Sequence, residues 1–294
     1  MTVLHPPDAG RGRSVLKLND TVCGFLVSAE GGDISAPVIR QPDGSFVRKS
    51  LGPPAPEPIV LSFDLSLDGA VYDWIAEFWK GTATLKSGSV ISVDLNYKAT
   101  SELAFEHAAI TATEVPAMDG ASKTPCRLTV RLKAEATRRV PASGPVIGSI
   151  KPTKPWLPSN FRLEIDGLET KRVSKIEPLT AVAGKGGIDF GDLRVLLSPD
   201  EAKAWFAWHK SFVVDGSGNE KSGLLTFLAP DLKTELGNVT LRGLGIHRLA
   251  PGLVSDQSGQ VARLAAELYC ERMELGVHGS REPAAAPLAA TTAG

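Results

Sequence analysis

Apolar and polar positions alternate with period two along much of this chain. In VISVDLNY (90–97), Ile91, Val93, Leu95 and Tyr97 fall on one side, with Ser92, Asp94 and Asn96 on the other. RLTVRLKAE (127–135) sets Leu128, Val130, Leu132 and Ala134 against Arg127, Thr129, Arg131, Lys133 and Glu135 in the same way. Period two over such lengths predicts strands with one wet face. Further strands are expected at 15–18, 25–29, 59–65 and 108–115, and then at 161–167, 172–179, 192–197, 224–229 and 238–246.

Two stretches follow helical spacing instead. In VYDWIAEFWK (71–80), Val71, Trp74, Ile75 and Phe78 form one apolar stripe, with Asp73, Glu77 and Lys80 opposite. Asp68 is placed to cap this helix and Gly81 to stop it. AKAWFAWHK (202–210) has the stripe Ala202, Trp205, Phe206 and His209. It follows Ser198-Pro199-Asp200-Glu201, which supplies a capping serine, a proline suited to a first turn and a capping-box glutamate.

These features recur in one order. Residues 71–80 lie over 202–210, pairing Trp74 with Trp205. Residues 101–120 lie over 234–252, pairing Glu102 with Glu235 and Pro116 with Pro251, and 127–132 lie over 263–268. The ordered recurrence predicts a tandem duplication. The expected fold is mainly β: two tandem small antiparallel β-barrels or sandwiches, each with one short α-helix. The first unit is expected over 14–140, with a proline-rich loop or hairpin insertion at 37–58, and the second over 161–278. A linker is expected at 141–160, and Pro/Ala/Gly-rich disordered ends at 1–13 and 279–294. The repeat also decides an ambiguous segment. VARLAAELYCERMEL (261–275) is rich in helix formers, yet its match to 127–135 predicts a strand over at least 262–271.

The tryptophans divide on the same grounds. Trp74 and Trp205 share a repeat position and are expected in the two cores. Trp79 and Trp208 stand where the sister unit carries Lys210 and Glu77. Aromatics without a counterpart in the repeat are candidates for an assembly interface, or else lie under loops of their own unit.

Charge and composition narrow the function. Thirty-two Lys+Arg against 33 Asp+Glu give a net charge of −1, and neither half is basic, which argues against nucleic-acid binding. No polybasic run or long apolar stretch suggests insertion into a membrane. The opening MTVLHPPDAGRGR lacks the apolar region of a secretory signal, so synthesis in the cytoplasm is expected. Cys23, Cys126 and Cys270 are far apart and read as reduced thiols.

The five histidines have no ligand spacing, so no metal site is expected. Gly184-Lys185-Gly186-Gly187 reads as a hairpin tip rather than a phosphate cradle. No constellation of nucleophile, acid and base stands out, so neither an enzyme nor a cofactor is expected.

One unit thus comprises a strand such as FRLEIDG (161–167), a second such as VSKIEPL (173–179), and a strand leading to a short tryptophan-bearing helix. Strands closing on a last alternating one follow. This order resembles the tail-tube protein family of contractile phages, shared with extracellular contractile injection systems and the type VI secretion tube. The residues that carry the resemblance are Phe161–Gly167, Leu193–Leu197, Trp205 and Leu264–Glu271, with Val60–Leu65, Trp74 and Leu128–Glu135 in the first unit. The resemblance implies a packed β-barrel with one helix, assembling into sixfold rings that stack into a tube, with no enzymatic activity.

The doubling departs from a single-unit tube subunit. It suggests a tube initiator, hub or adaptor as readily as bulk tube. Three chains would present six barrels in a pseudo-sixfold ring, with other tube, baseplate or spike subunits as partners in a phage tail or injection particle. The alternative is a free-standing double β-barrel binding module with a small apolar ligand in each barrel. That requires unfilled interiors, whereas Trp74, Phe78, Trp205 and Phe206 are suited to filling them.

Overall fold

The computed structural model describes residues 13–19, 21–146, 155–256 and 259–277. The expectations for residues 1–12, for the linker segment 147–154 and for the tail beyond 277 lie outside the described residues.

The first half opens with β1 (Arg13–Leu18), β2 (Thr21–Leu26) and β3 (Ser28–Glu30). The expected insertion at 37–58 forms part of a short stem, β4 (Ile34–Ser35) with β7 (Ala55–Pro56), carrying an outer hairpin, β5 (Val38–Asp43) with β6 (Phe46–Leu51). Then come β8 (Ile59–Phe63), helix α1 (Gly69–Trp79), β9 (Lys86–Val93), β10 (Ala99–Val115), β11 (Met118–Asp119), β12 (Leu128–Lys133) and β13 (Ala136–Pro141). The second half runs through β14 (Phe161–Ile165), β15 (Val173–Ile176), β16 (Leu179–Gly184), β17 (Gly187–Phe190) and β18 (Leu193–Leu197). Helix α2 (Ala202–His209) and strands β19 (Lys221–Leu228), β20 (Glu235–Asp256) and β21 (Gly259–Val277) follow.

Among the described residues the fold is mainly β and antiparallel, with one short α-helix in each half. Both large sheets have one strand order. Starting from the first strand, the first runs β1-β9-β10-β12-β8-β3 and the second β14-β19-β20-β21-β18-β15. The final segment expected as a strand is one, inside the long β20–β21 hairpin. Leu264, Ala266, Leu268 and Cys270 face the core, so tertiary pairing overrides the helical propensity of this segment.

The helices begin as the sequence indicates. The Asp68 carboxylate accepts from the Ala70 amide at 2.9 Å. The Ser198 hydroxyl caps a 3-10 turn with Pro199 in its first turn, leading into α2. Helix α2 then continues into a π turn over Lys210–Val214. Trp74, Phe78 and Trp205 are buried as expected, but Phe206 is 52% exposed and does not join the core. The alternation assigned to 90–97 also ends early. The Asp94 carboxylate accepts from the amides of Asn96 and Lys98, turning the chain after Val93 and leaving Leu95 exposed.

Candidate assembly interface

Hydrogen-bond register equates the halves residue by residue. Leu16 faces Val90, which faces Leu103; in the second half Leu163 faces Leu225, which faces Val239. Leu61 faces Val130 as Val195 faces Ala266. The irregularities coincide too. β10 breaks register on β12 between Ile110 and Ala112, and β20 breaks register on β21 between Ile246 and Arg248. His107 and Gly243, both at positive φ, occupy a second shared irregularity.

The two halves meet by sheet extension. Beyond its pairing with β9, β10 has an edge at Ala112–Val115, and β16 from the second half adds to it antiparallel. Ala112 faces Val182, Thr113 faces Ala181, Glu114 faces Thr180 and Val115 faces Leu179. Thr113 and Ala181 point inward and are buried, whereas Val182 is exposed. Nearby, β11 adds to the edge of β15, with the Asp119 amide donating to the Pro158 carbonyl and the Gly120 amide to that of Ser174. Helix α1 lies against the end of β21, where Tyr72 and Ala76 share a groove with Leu275–Val277. Buried residues of both halves form one continuous core.

The spacing of the halves is therefore held by strand pairing, which the expectation for the 141–160 linker did not include. The later part of that segment, 155–160, is itself packed: Trp156 is buried, with its ring 4.9 Å from that of Phe227.

Trp79 sits on this seam, buried. Its indole N–H donates to the Thr113 hydroxyl at 2.8 Å, and its ring meets Phe190 of β17 edge-on at 6.1 Å. Trp208 is buried within its own half, against Trp205 and Phe212. Neither is a surface aromatic. The register also replaces three expected pairings: Asn238, not Glu235, is the counterpart of Glu102, Val115, not Pro116, is that of Pro251, and the tryptophans shift as well. The Trp74 indole N–H donates to the Thr84 carbonyl with Lys86 over the ring, and the Trp208 indole N–H donates to that of Asn219 with Lys221 over the ring. Lys86 and Lys221 hold matching places in β9 and β19. Trp208, not Trp205, is thus the counterpart of Trp74. Trp205 sits one helical turn earlier and donates to the Glu169 carbonyl at 3.0 Å.

Sequence reasoning missed β16 and the edge of β10. Pairing along an edge adds no apolar period of its own; only the GKGG tip signalled a hairpin at that place.

Other reactive groups are held in structural roles. Burial pushes all three thiols up, Cys126 to about 12 and Cys270 to about 11. Among the described residues, Asp192, His247 and Glu267 bring ligand atoms within 4.8 Å of one another, a grouping that the scattered histidines did not suggest. Their charge is already answered. Arg248 hydrogen-bonds Glu267 at 2.5 Å and Arg194 approaches it, holding that carboxyl below its ordinary range, while His247 pairs with Asp192 at 3.2 Å. Among the described residues no helix is long and apolar enough to cross a membrane.

No family model matches the chain, and no curated protein does. Solved structures do. The chain is similar to the tube-terminating cap of the anti-feeding prophage, at 22% identity over 48% of this chain and 95% of that one, with a TM-score of 0.36. It is also similar to a chain of the anti-feeding prophage baseplate, at 9% identity over 47% of this chain and 97% of that one, TM-score 0.35. A third likeness is to the sheath/tube terminator of an extracellular contractile injection system, at 19% identity over 47% of this chain and 99% of that one, TM-score 0.36.

Proposed function

We propose that this chain is a structural, ring-forming subunit of a phage tail or contractile injection system, acting as tube, tube initiator or hub/adaptor. The observation that carries this reading is the seam itself. One half of the chain adds a strand to the sheet edge of an equivalent half, and edge addition between equivalent units can repeat. A chain of two such units closes into a ring with twice as many barrels as chains, so three chains give a pseudo-sixfold ring. Other tube, baseplate or spike subunits would stack on its faces. The tail-tube resemblance of the sequence agrees with this role, which needs neither catalysis nor cofactor.

The binding-module reading is weakened by the interiors. Phe63 and Phe227 on the strands and Trp74 and Trp205 on the helices are all buried, filling the core an apolar ligand would need.

Mass photometry and negative-stain microscopy of the purified chain test the proposal. Rings are expected. A chain that stays monomeric at high concentration, and joins no tube or baseplate, overturns it.

A further inference from the structure

We infer that the chain carries a second seam, built on the plan of the internal one but open, and that it takes the first half of another copy of this chain. The inference rests on the ring-forming role proposed above and names the surfaces that close the ring.

The internal repeat defines both sides of the open seam. On one side is the continuation of β20. Ile246, facing Leu268, is the counterpart of Ile110, facing Leu132, so Arg248–Pro251 match the β10 edge Ala112–Val115. One flank of Arg248–Pro251 pairs with β21; among the described residues no strand pairs with the other. On the other side is the stem of the first-half insertion. Ala29 faces Leu61 as Ile176 faces Val195. Five residues after Ala29 comes Ile34, paired with Pro56; five after Ile176 comes Ala181, paired with Phe190. Pro56 and Phe190 in turn lie five residues before Leu61 and Val195. Strand β4 therefore stands where β16 stands. Carrying over the internal register sets Ser35 of one copy opposite Arg248 of the next, and Ile34 opposite Leu249.

The exposure of apolar side chains agrees at each matching place. Ala181 is fully buried by the internal seam, whereas its counterpart Ile34 is 58% exposed. Tyr72, buried beside the end of β21, is matched by Phe206, two residues before Trp208 as Tyr72 is before Trp74. Trp79, the buried aromatic of the internal seam, is matched by the π turn at Val213 and Val214, 47% and 70% exposed. Three apolar features are thus bare where their twins are covered by the other half of the chain. The end of β13, the counterpart of Leu275–Val277, is the surface that Phe206 would meet. The occupant with the complementary edge is a second copy of this chain, in a head-to-tail contact that leaves a new open seam at each end until the ring closes.

Cysteine pairing tests this register, because directly opposed residues of antiparallel strands bring Cβ atoms within disulfide reach. The three native thiols are buried and do not compete. A chain carrying Ala112→Cys and Val182→Cys serves as the internal reference and should oxidise within one chain. Chains carrying Ser35→Cys and Arg248→Cys separately should give a disulfide-linked dimer when mixed and oxidised, and little when each is oxidised alone. Ile34→Glu, at an exposed position, should abolish that product and leave the internal disulfide intact.

If rings are seen but the mixed pair does not cross-link while the internal pair does, this seam is wrong and the ring closes through another surface. Equal cross-linking of the Ser35→Cys chain with itself would indicate a two-fold contact and also overturn the inference. No assembly at any concentration would sink the ring reading together with the seam.

Discussion

Trp74 and Trp208 make the same pair of contacts in the two halves of the chain. Each indole N–H donates to a main-chain carbonyl beyond its helix, Thr84 at 2.9 Å and Asn219 at 3.0 Å. Each ring lies under a lysine ammonium, at 5.8 Å for Lys86 and 5.3 Å for Lys221. Equivalent packing implies equivalent cost. Trp74→Ala and Trp208→Ala should each destabilise by roughly 3–5 kcal/mol, as truncation of other large core aromatics does. Lys86→Met and Lys221→Met should each cost no more than about 1 kcal/mol, the scale of a partly exposed cation–π contact. Urea unfolding followed by tryptophan fluorescence measures both. If removing Trp208 cost far less than removing Trp74, the equivalence would fail.

The pairing of Trp74 with Trp205 read from the sequence was three residues out, and the cause is geometric. Residues three apart on a helix share a face, so a slip of one turn keeps the apolar stripe intact and leaves no trace in the pattern. A strand slipped by one residue turns every core side chain to solvent. That is why 127–132 matched 263–268 correctly and why β21 was legible despite its helical composition. The seam was harder to read. β16 joins β10 through main-chain groups, and Phe190 of a hairpin distant in sequence packs on the Trp79 ring. Both are long-range events that local periodicity does not record. What remained visible was the asymmetry between the repeats: Trp79 has no aromatic counterpart because the internal seam and the open one are lined differently.

Gly88 and Gly223 occupy matching points of β9 and β19, opposite Leu18 and Ile165. A Cβ at Gly88 would lie 2.2 Å from the Lys17 carbonyl oxygen, and one at Gly223 would lie 2.9 Å from that of Glu164. Both obstacles are main chain and cannot swing aside. Gly88→Ala and Gly223→Ala are therefore expected to destabilise by about 1–3 kcal/mol, the range of overpacked cores, with Gly88→Ala the worse. Melting temperatures of the two variants rank them. A neutral Gly88→Ala would show that the first sheet yields at this point.

The thiols set an alkaline limit. Burial raises Cys126 to about 12 and Cys270 to about 11 from an ordinary value of 9.0. In the unfolded chain they ionise first, so unfolding releases protons once pH passes the ordinary thiol range. Stability is fully present below that value and should fall as pH rises from about 9 toward 11. Thiol reagents at pH 8 should accordingly label the native protein only as fast as it opens. Denaturant titrations at pH 8 and pH 10, for the native chain and for Cys126→Ala, check this; the variant should lose less between the two. Rapid stoichiometric labelling of the native protein would contradict it.

Thr113 and Trp79 join α1 to β10 beneath the β16–β17 hairpin. The Trp79 indole N–H has the Thr113 hydroxyl as its partner, 2.8 Å away in a buried site. Thr113→Val keeps the shape and removes the acceptor, leaving a buried donor unpaired at a cost of about 1–3 kcal/mol. Trp79→Lys goes further, removing the ring that Phe190 packs against and placing an ammonium in a buried site. Its effect should be local before it is global. Strand β16 is held on β10 by four residue pairs, so loss of the ring should let the hairpin lift while β19–β20 stay formed. Hydrogen exchange distinguishes the two outcomes: the amides of Thr180–Val182 should lose protection in Trp79→Lys, and those of Leu225–Phe227 should keep it. Uniform loss of protection across both halves would mean that Trp79 supports the common core rather than the seam. Unchanged exchange at Thr180–Val182 would mean that strand pairing alone holds the hairpin in place.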